Sequence, residues 1–320
     1  MPTPQPVRRS IAALSVHPIG LGAMPLSDTA MLAERPRAVA TVHAALDSGM
    51  TLVDTADIYA PDGEHFGHNE VLVGEAVRSW TGSAADRESI VVATKGGITR
   101  APGPDGADVW GRAGSPEALG AAARASARRL GVDVIDLYYL HRLDPAVPFD
   151  DQVGGLAAVR ADGVAANIGL SNVTLAQLDR ALELVGGPER GGIVAVQNEY
   201  SPRYRVDGDV LARCIERGIA FLPWSPLGGA NEAAGLGSRY AAFAEVARAH
   251  DVAAQQVALA WLLSLGPQVI PIPGSTRPAT ARSSAAAASI QLGADELARL
   301  SATVPEDASV FPDDTPAPPM

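Results

Sequence analysis

Lysine is almost absent from this chain. Of its 25 basic side chains, all but Lys95 are arginine. An abundance of Ala, Gly and Pro points to a coding bias that supplies arginine wherever a surface charge is wanted. A lysine kept against that bias marks a place where arginine does not serve. Arginine is planar and effectively always protonated, whereas lysine is a compact ammonium whose pKa can be moved. Cysteine is nearly as scarce. Cys214 stands alone, which excludes an intrachain disulfide and a cysteine-based zinc site. No apolar run approaches the roughly 20 residues of a membrane-spanning helix. The first residues, MPTPQPVRRS, lack the apolar centre of a secretory signal, so a cytoplasmic location is expected. An excess of basic charge is also missing. The net charge is −11, and no basic stripe interrupts it, so nucleic acid is not an expected partner.

What is present is a core. About 47% of the 320 residues are hydrophobic, well above the content of a disordered chain. Short apolar runs alternate with amphipathic stretches almost throughout. After a hairpin over 8–16, strand-like runs fall at 17–24, 51–57, 89–95, 133–141, 164–171, 193–201, 219–226 and 269–275. Helical stretches follow them at 36–48, 69–80, 116–130, 150–162, 174–185, 208–217, 238–250 with 253–265, and 278–288, with a last helix at 294–302. The strands are continuous apolar runs rather than alternating ones, the pattern of parallel strands buried on both faces. Eight strand–helix units without a composition break predict one (β/α)₈ barrel domain over 1–320, with an extended tail from 303 to 320. An open doubly wound sheet would call for G-x-G-x-x-G after its first strand. Gly20 and Gly22 are followed by AMPLS, with no third glycine. Residues 96–115 read as the longest loop, on the face where barrels do chemistry.

Polar residues collect where those strands end. Asp54 and, slightly later, Tyr59 follow the second. Lys95 ends the third, His141 the fourth, and Ser171 with Asn172 the fifth. Gln197 lies on the sixth, Trp224 and Ser225 on the seventh, and Gly274, Ser275, Thr276 and Arg277 follow the eighth. Singly, each has a plain structural reading as a rim aromatic, a cap or a solvated charge. Together they are a set that can move protons: a phenol, an imidazole, an ammonium and a carboxylate. A phenol beside an ammonium can act as a proton donor, and the ammonium favours phenolate and is expected to lower the Tyr59 pKa. His65 and His68 are three residues apart, but no third ligand stands near them, and no metal is expected.

The chain resembles the aldo-keto reductase family. The matching pieces are VDTADIY (53–59), VVATKGG (91–97), DLYYLHRLD (136–144), IGLSN (168–172), VQNEYSP (196–202), PWSPLGG (223–229) and IPIPGSTRP (270–278), in family order from about residue 17 to 290. The resemblance implies a (β/α)₈ barrel that reduces an aldehyde or ketone with a nicotinamide cofactor. It implies a catalytic tetrad of Asp54, Tyr59, Lys95 and His141, with Tyr59 as proton donor. Ser171, Asn172 and Gln197 would meet the nicotinamide carboxamide, and Trp224 would stack on its ring. Gly22, Ser225 and Leu227 would lie along the cofactor. Gly274, Ser275, Thr276 and Arg277 would take its phosphates, with Arg277 favouring NADP(H) over NAD(H). Where the family pattern has a Glu–Asn pair holding adenine, this chain has Ser283 and Ser284, and Arg282 is expected to reach in instead. Met24, Phe66, Trp110, Arg142 and Tyr204 are expected to line the substrate pocket. A redox-sensing regulatory subunit of the same fold, with little turnover, is the alternative.

Overall fold

The computed structural model describes residues 7–311. Seven parallel strands form one curled sheet: Leu21–Gly22, Leu52–Asp54, Val91–Gly96, Ile135–Leu140, Ala165–Ser171, Ile193–Gln197 and Ala220–Phe221, neighbours in sequence order. The expected eighth strand is not a regular one, because Pro271 and Pro273 have no N–H to give. It closes the barrel all the same. On one side the Pro271 and Pro273 carbonyls accept from the N–H groups of Gly20 and Gly22, both at 3.0 Å. On the other, the N–H groups of Ile270 and Ile272 donate to the Phe221 and Pro223 carbonyls at 2.8 and 3.2 Å. The prolines thus sit where acceptors suffice. Gly22 permits the approach: a Cβ there would lie 2.7 Å from the Ile272 carbonyl oxygen.

The helices stand where the apolar periodicity puts them, and their ends show why. Pro116–Leu130 starts at Ser115, whose hydroxyl accepts from the Ala118 N–H, with Pro116 in the first turn. It ends with Arg128 and Arg129 near the negative helix end and with Gly131 at φ 72°, a left-handed stop. Leu175–Val185 opens on a reciprocal pair between Thr174 and Gln177.

Two apolar layers result. The larger fills the space between strands and helices. The smaller occupies the barrel interior and includes Leu52, Val91, Leu137, Ala195, Ile270 and Ile272. The predicted hairpin, Arg9–Ile11 with Leu14–Val16, plugs the amino end of that interior with Ile11 and Val16. Arg9 fastens it by donating to the carbonyls of Leu263 and Val269, each at 2.7 Å, and of Gly266. Leu137 has no exposed surface, so its truncation to alanine costs roughly 2–5 kcal/mol.

The stretch expected to be the longest loop is instead an antiparallel hairpin, Ile98–Pro102 with Asp108–Arg112. Gly106 turns it at φ 82°. Arg100 locks it, with Nε 2.6 Å from Asp108 and the guanidinium 4.7 Å above the Trp110 ring. Residues 303–311 of the expected tail pack over the carboxyl end of the barrel; 312–320 lie outside the described residues. No helix among the described residues is long and apolar enough to cross a membrane.

Candidate active site

Adjacent parallel strands end at one level, and three of them bring Asp54, Lys95 and His141 to one end of the barrel. The turn after the second strand folds Tyr59 back over them, with its N–H on the Ala56 carbonyl at 3.2 Å. Lys95 Nζ donates to Asp54 Oδ1 at 2.6 Å, to the Thr55 carbonyl at 2.8 Å and to the Tyr59 hydroxyl at 3.2 Å. All three of its protons have acceptors. Asp54 is braced from the far side by Gln197, whose Nε2 donates to Oδ2 at 2.8 Å. The His141 ring meets the Tyr59 ring edge-on, with centroids 5.8 Å apart.

Burial governs the electrostatics. It alone would depress the Lys95 ammonium, but Asp54 and Tyr59 reverse that and hold it above the ordinary lysine value. For Tyr59, burial is also the largest influence and pushes the phenol up; Lys95 pulls it down without overcoming burial. The expectation of an unusually acidic phenol is therefore corrected: Tyr59 stays protonated at neutral pH. Burial, seconded by Lys95, drives His141 well below the usual histidine range, so the ring is neutral. Its Nδ1 is buried without a partner. An orphaned N–H there would be the rarer and costlier state, which assigns the proton to Nε2.

Asp54, Tyr59 and His141 line a cavity of about 180 Å³, with Lys95 held against Asp54 and Tyr59. Of the residues expected along the cofactor, Gly22, Ser171, Asn172, Gln197, Trp224, Ser225, Leu227 and Gly274 line it. Asn172 and Ser225 have left-handed backbones, φ 58° and 44°. Non-glycine residues held that way cluster at sites of function. Several of these side chains are engaged with one another. Ser171 Oγ donates to the Gln197 carbonyl at 2.7 Å, Asn172 Nδ2 to the His141 carbonyl at 3.0 Å, and Trp224 Nε1 to Asn172 Oδ1 at 3.1 Å.

Ser275, Thr276, Arg277 and Arg282 are not in that lining. They sit where the eighth strand passes into helix Pro278–Ala286. Arg277 and Arg282 are exposed, and no side chain caps the helix start. Ser275 Oγ is buried without a partner. An uncapped helix N-terminus, an orphaned hydroxyl and two arginines fit the phosphate end of a dinucleotide. Ser284 is buried, and the Ser283 carbonyl accepts from Gln256 at 3.0 Å.

Of the expected pocket liners, Met24 and Arg142 are in place. Phe66 and Trp110 instead pack behind Tyr59 with Ala56, Ile58 and Ile98, and Tyr204 borders a neighbouring polar cavity. His65 pairs with Asp62 and His68 with Ser27. Among the described residues, no three His, Cys, Asp or Glu side chains gather to hold a metal. Among the liners that the sequence did not point to is an aromatic from the tail. Phe311 stacks on Trp224, with centroids 5.8 Å apart and planes at 26°. Its signal was an adjacent apolar pair, Val310–Phe311, inside a polar, proline-bearing tail.

Parallel-barrel enzymes work at this end of the fold, and here it holds proton-carrying groups in mutual contact: the arrangement is that of a barrel enzyme's site. The sequence model of the aldo/keto reductase family matches residues 18–304, and the chain belongs to that family of oxidoreductases. It is 32% identical over 293 residues to an uncharacterized oxidoreductase of Schizosaccharomyces pombe, covering 91% of this chain and 87% of that one. Among solved structures it is similar to an aldo/keto reductase from Klebsiella pneumoniae in complex with NADP and acetate, at 25% identity and TM-score 0.74, covering 92% of this chain and 94% of that one. A second structure from Klebsiella pneumoniae, in complex with NADPH, matches at 26% identity and TM-score 0.73, covering 89% and 90%.

Proposed function

We propose that the protein reduces an aldehyde or ketone to an alcohol with NADPH, and that Tyr59 supplies the proton. The observation that carries this reading is the contact of Lys95 with both Asp54 and Tyr59 at the wall of the cavity. When bound, the cofactor supplies a hydride to the carbonyl carbon. Ser171, Asn172, Gln197 and Trp224 are assigned to its nicotinamide end. Gly22, Ser225 and Leu227 lie between, Gly274, Ser275, Thr276 and Arg277 take its phosphates, and Arg282 reaches toward its adenine. The exposed guanidinium of Arg277 favours a 2′-phosphate, and so NADP(H) over NAD(H).

The remaining chemistry belongs to the chain. The neutral His141 points a carbonyl oxygen at Tyr59 by donating from Nε2. Tyr59, protonated through the neutral range, gives its proton to that oxygen as negative charge develops there. The phenolate left behind faces the Lys95 ammonium, already held charged by Asp54. Gln197 keeps Asp54, and through it Lys95, from turning away.

The test is steady-state oxidation of NADPH in the presence of 4-nitrobenzaldehyde. The wild type should turn over, and Tyr59→Phe should bind NADPH with similar affinity while losing most turnover. NADPH binding without oxidation, across a panel of aldehydes and ketones, would instead favour a cofactor-sensing role. Unchanged turnover in Tyr59→Phe rejects Tyr59 as the proton donor.

A further inference from the structure

Glu199 and Trp224 lie opposite one another in a parallel bridge between the segments that extend the sixth and seventh strands. Two neighbours in the C-terminal segment reach this pair. The Val310 N–H donates to both Glu199 carboxylate oxygens at 3.1 Å, and Ser309 Oγ donates to Oε2 at 2.6 Å. The next residue, Phe311, lays its ring on Trp224, and its carbonyl accepts from Arg142 at 2.9 Å. Upstream, Glu306 accepts from Arg203 at 3.1 Å and Arg239 at 2.7 Å, and Asp307 accepts from the Arg205 N–H at 2.9 Å. Those outer pairs lie near the surface and contribute little individually. Glu199 differs from them. It is only 3% exposed, and both its oxygens are committed to the strap.

We propose that Glu199 is a positioning residue: it seats residues 309–311 so that Phe311 forms the wall of the reaction cavity beside Trp224. Phe311 borders the same cavity as Tyr59 and His141, so the strap supplies apolar surface to whatever carbonyl compound enters. A bulky apolar aldehyde uses that surface, and a two-carbon aldehyde does not. The effect on turnover rests on the reductase reading above; the seating of the strap does not.

Three single variants and one double variant test this. Phe311→Ala should raise KM for 4-nitrobenzaldehyde about three- to tenfold, the scale of one aromatic contact, and raise KM for acetaldehyde several-fold less. Glu199→Gln should do the same by a different route, with amide hydrogen exchange in residues 306–311 accelerating roughly tenfold or more as the charged acceptor is lost. Ser309→Ala keeps Glu199 and removes one of its two partners on the strap, so it should move the exchange in the same direction as Glu199→Gln even if the latter is poorly folded. The double variant Glu199→Gln with Phe311→Ala should be no worse than Phe311→Ala alone, because one residue acts through the other. Multiplying effects, an unchanged KM in Phe311→Ala, or unaltered strap exchange in both Glu199→Gln and Ser309→Ala overturns the proposal. If the wild type reduces no carbonyl compound, the reductase reading fails, and the exchange rates still decide whether Glu199 seats the strap.

Discussion

The ammonium of Lys95 lies 2.6 Å from the carboxylate of Asp54, with side-chain exposures of 0% and 3%. Two charges that far from water depend on each other. Removing one leaves the other buried and uncompensated, at a cost of about 3–5 kcal/mol. Lys95→Met should therefore lower stability by about that amount in a denaturant melt. Asp54→Asn combined with Lys95→Met should recover much of the stability and none of the turnover. Lys95→Arg tests the chemistry separately. A guanidinium keeps the charge but brings a planar fork in place of a point donor with three acceptors already arranged around it. Loss of at least about a hundredfold in kcat is expected; wild-type kcat in Lys95→Arg would refute the special role of this lysine.

The pH profile follows from the signs at Tyr59 and His141. Tyr59 is raised from 10.0, so it remains a proton donor throughout the neutral range. His141 is pushed well below 6.5, so it does not gain a proton between pH 7 and 6 as an ordinary histidine does. The kcat/KM for carbonyl reduction should be level from about pH 6 to 9 and decline only as the phenol ionises. Alcohol oxidation needs the phenolate and should rise over the alkaline side. A break near pH 8 in the reductive direction would mean that Lys95 outweighs burial after all. Stability has a related sign. A histidine whose folded pKa is depressed contributes fully above its unfolded value of about 6.5, and that contribution is lost as pH falls from there toward the depressed value. Thermal melts should therefore show a loss below about pH 6.5 that is smaller in His141→Gln, where His17 and His68, also lowered by burial, still contribute.

Much of this was legible in the sequence, for a physical reason. Strands buried on both faces must be apolar at nearly every position, so Val91–Gly96 and Ile135–Leu140 read as runs without any knowledge of their partners. The residues that end them stay polar because chemistry or a hydrogen bond holds them there. The hairpin 98–112 was hidden because neither face is fully buried, and its alternation is interrupted by Gly and Pro. Phe311 was hidden because its partner, Trp224, is distant in sequence and a single aromatic in a tail has no period. The sign at Tyr59 was misjudged because sequence shows the neighbouring ammonium but not the depth of burial around both.

The junction after the eighth strand separates ligand effects from fold effects. Ser275 Oγ is buried with no partner. Removing an orphaned polar atom costs the empty protein nothing and can stabilise it. Ser275→Ala should thus leave the Tm of the free protein equal or slightly higher, while the rise in Tm on adding NADPH shrinks. Arg277→Ala should weaken NADPH binding by about 1.5–3 kcal/mol, a loss of roughly ten- to a hundredfold, with little change for NADH. Equal losses for both cofactors would remove Arg277 from the 2′-phosphate.

Asp57 offers the opposite kind of test, because it is a buried group at odds with its surroundings. It is 2% exposed, its Oδ1 has no partner, and burial together with the Glu70 carboxylate drives its pKa well above 3.8. A carboxyl group raised in this way favours the folded state fully below its unfolded value and loses that contribution as pH rises through the folded value. At pH 8 the unfolded chain ionises this carboxyl more readily than the folded one does, which works against the fold. Asp57→Asn removes the charge and keeps the shape, and should raise Tm by roughly 2–4 °C per kcal/mol recovered. The gain should fade when the melt is repeated near pH 4, where the wild-type group is already neutral. Because the Asp57 charge also pushes the Tyr59 phenol upward, the same variant should move the alkaline limb of the reductive profile to lower pH. A stabilised variant with an unshifted limb would show that Asp57 is already protonated in the working enzyme and that its charge never reaches the phenol.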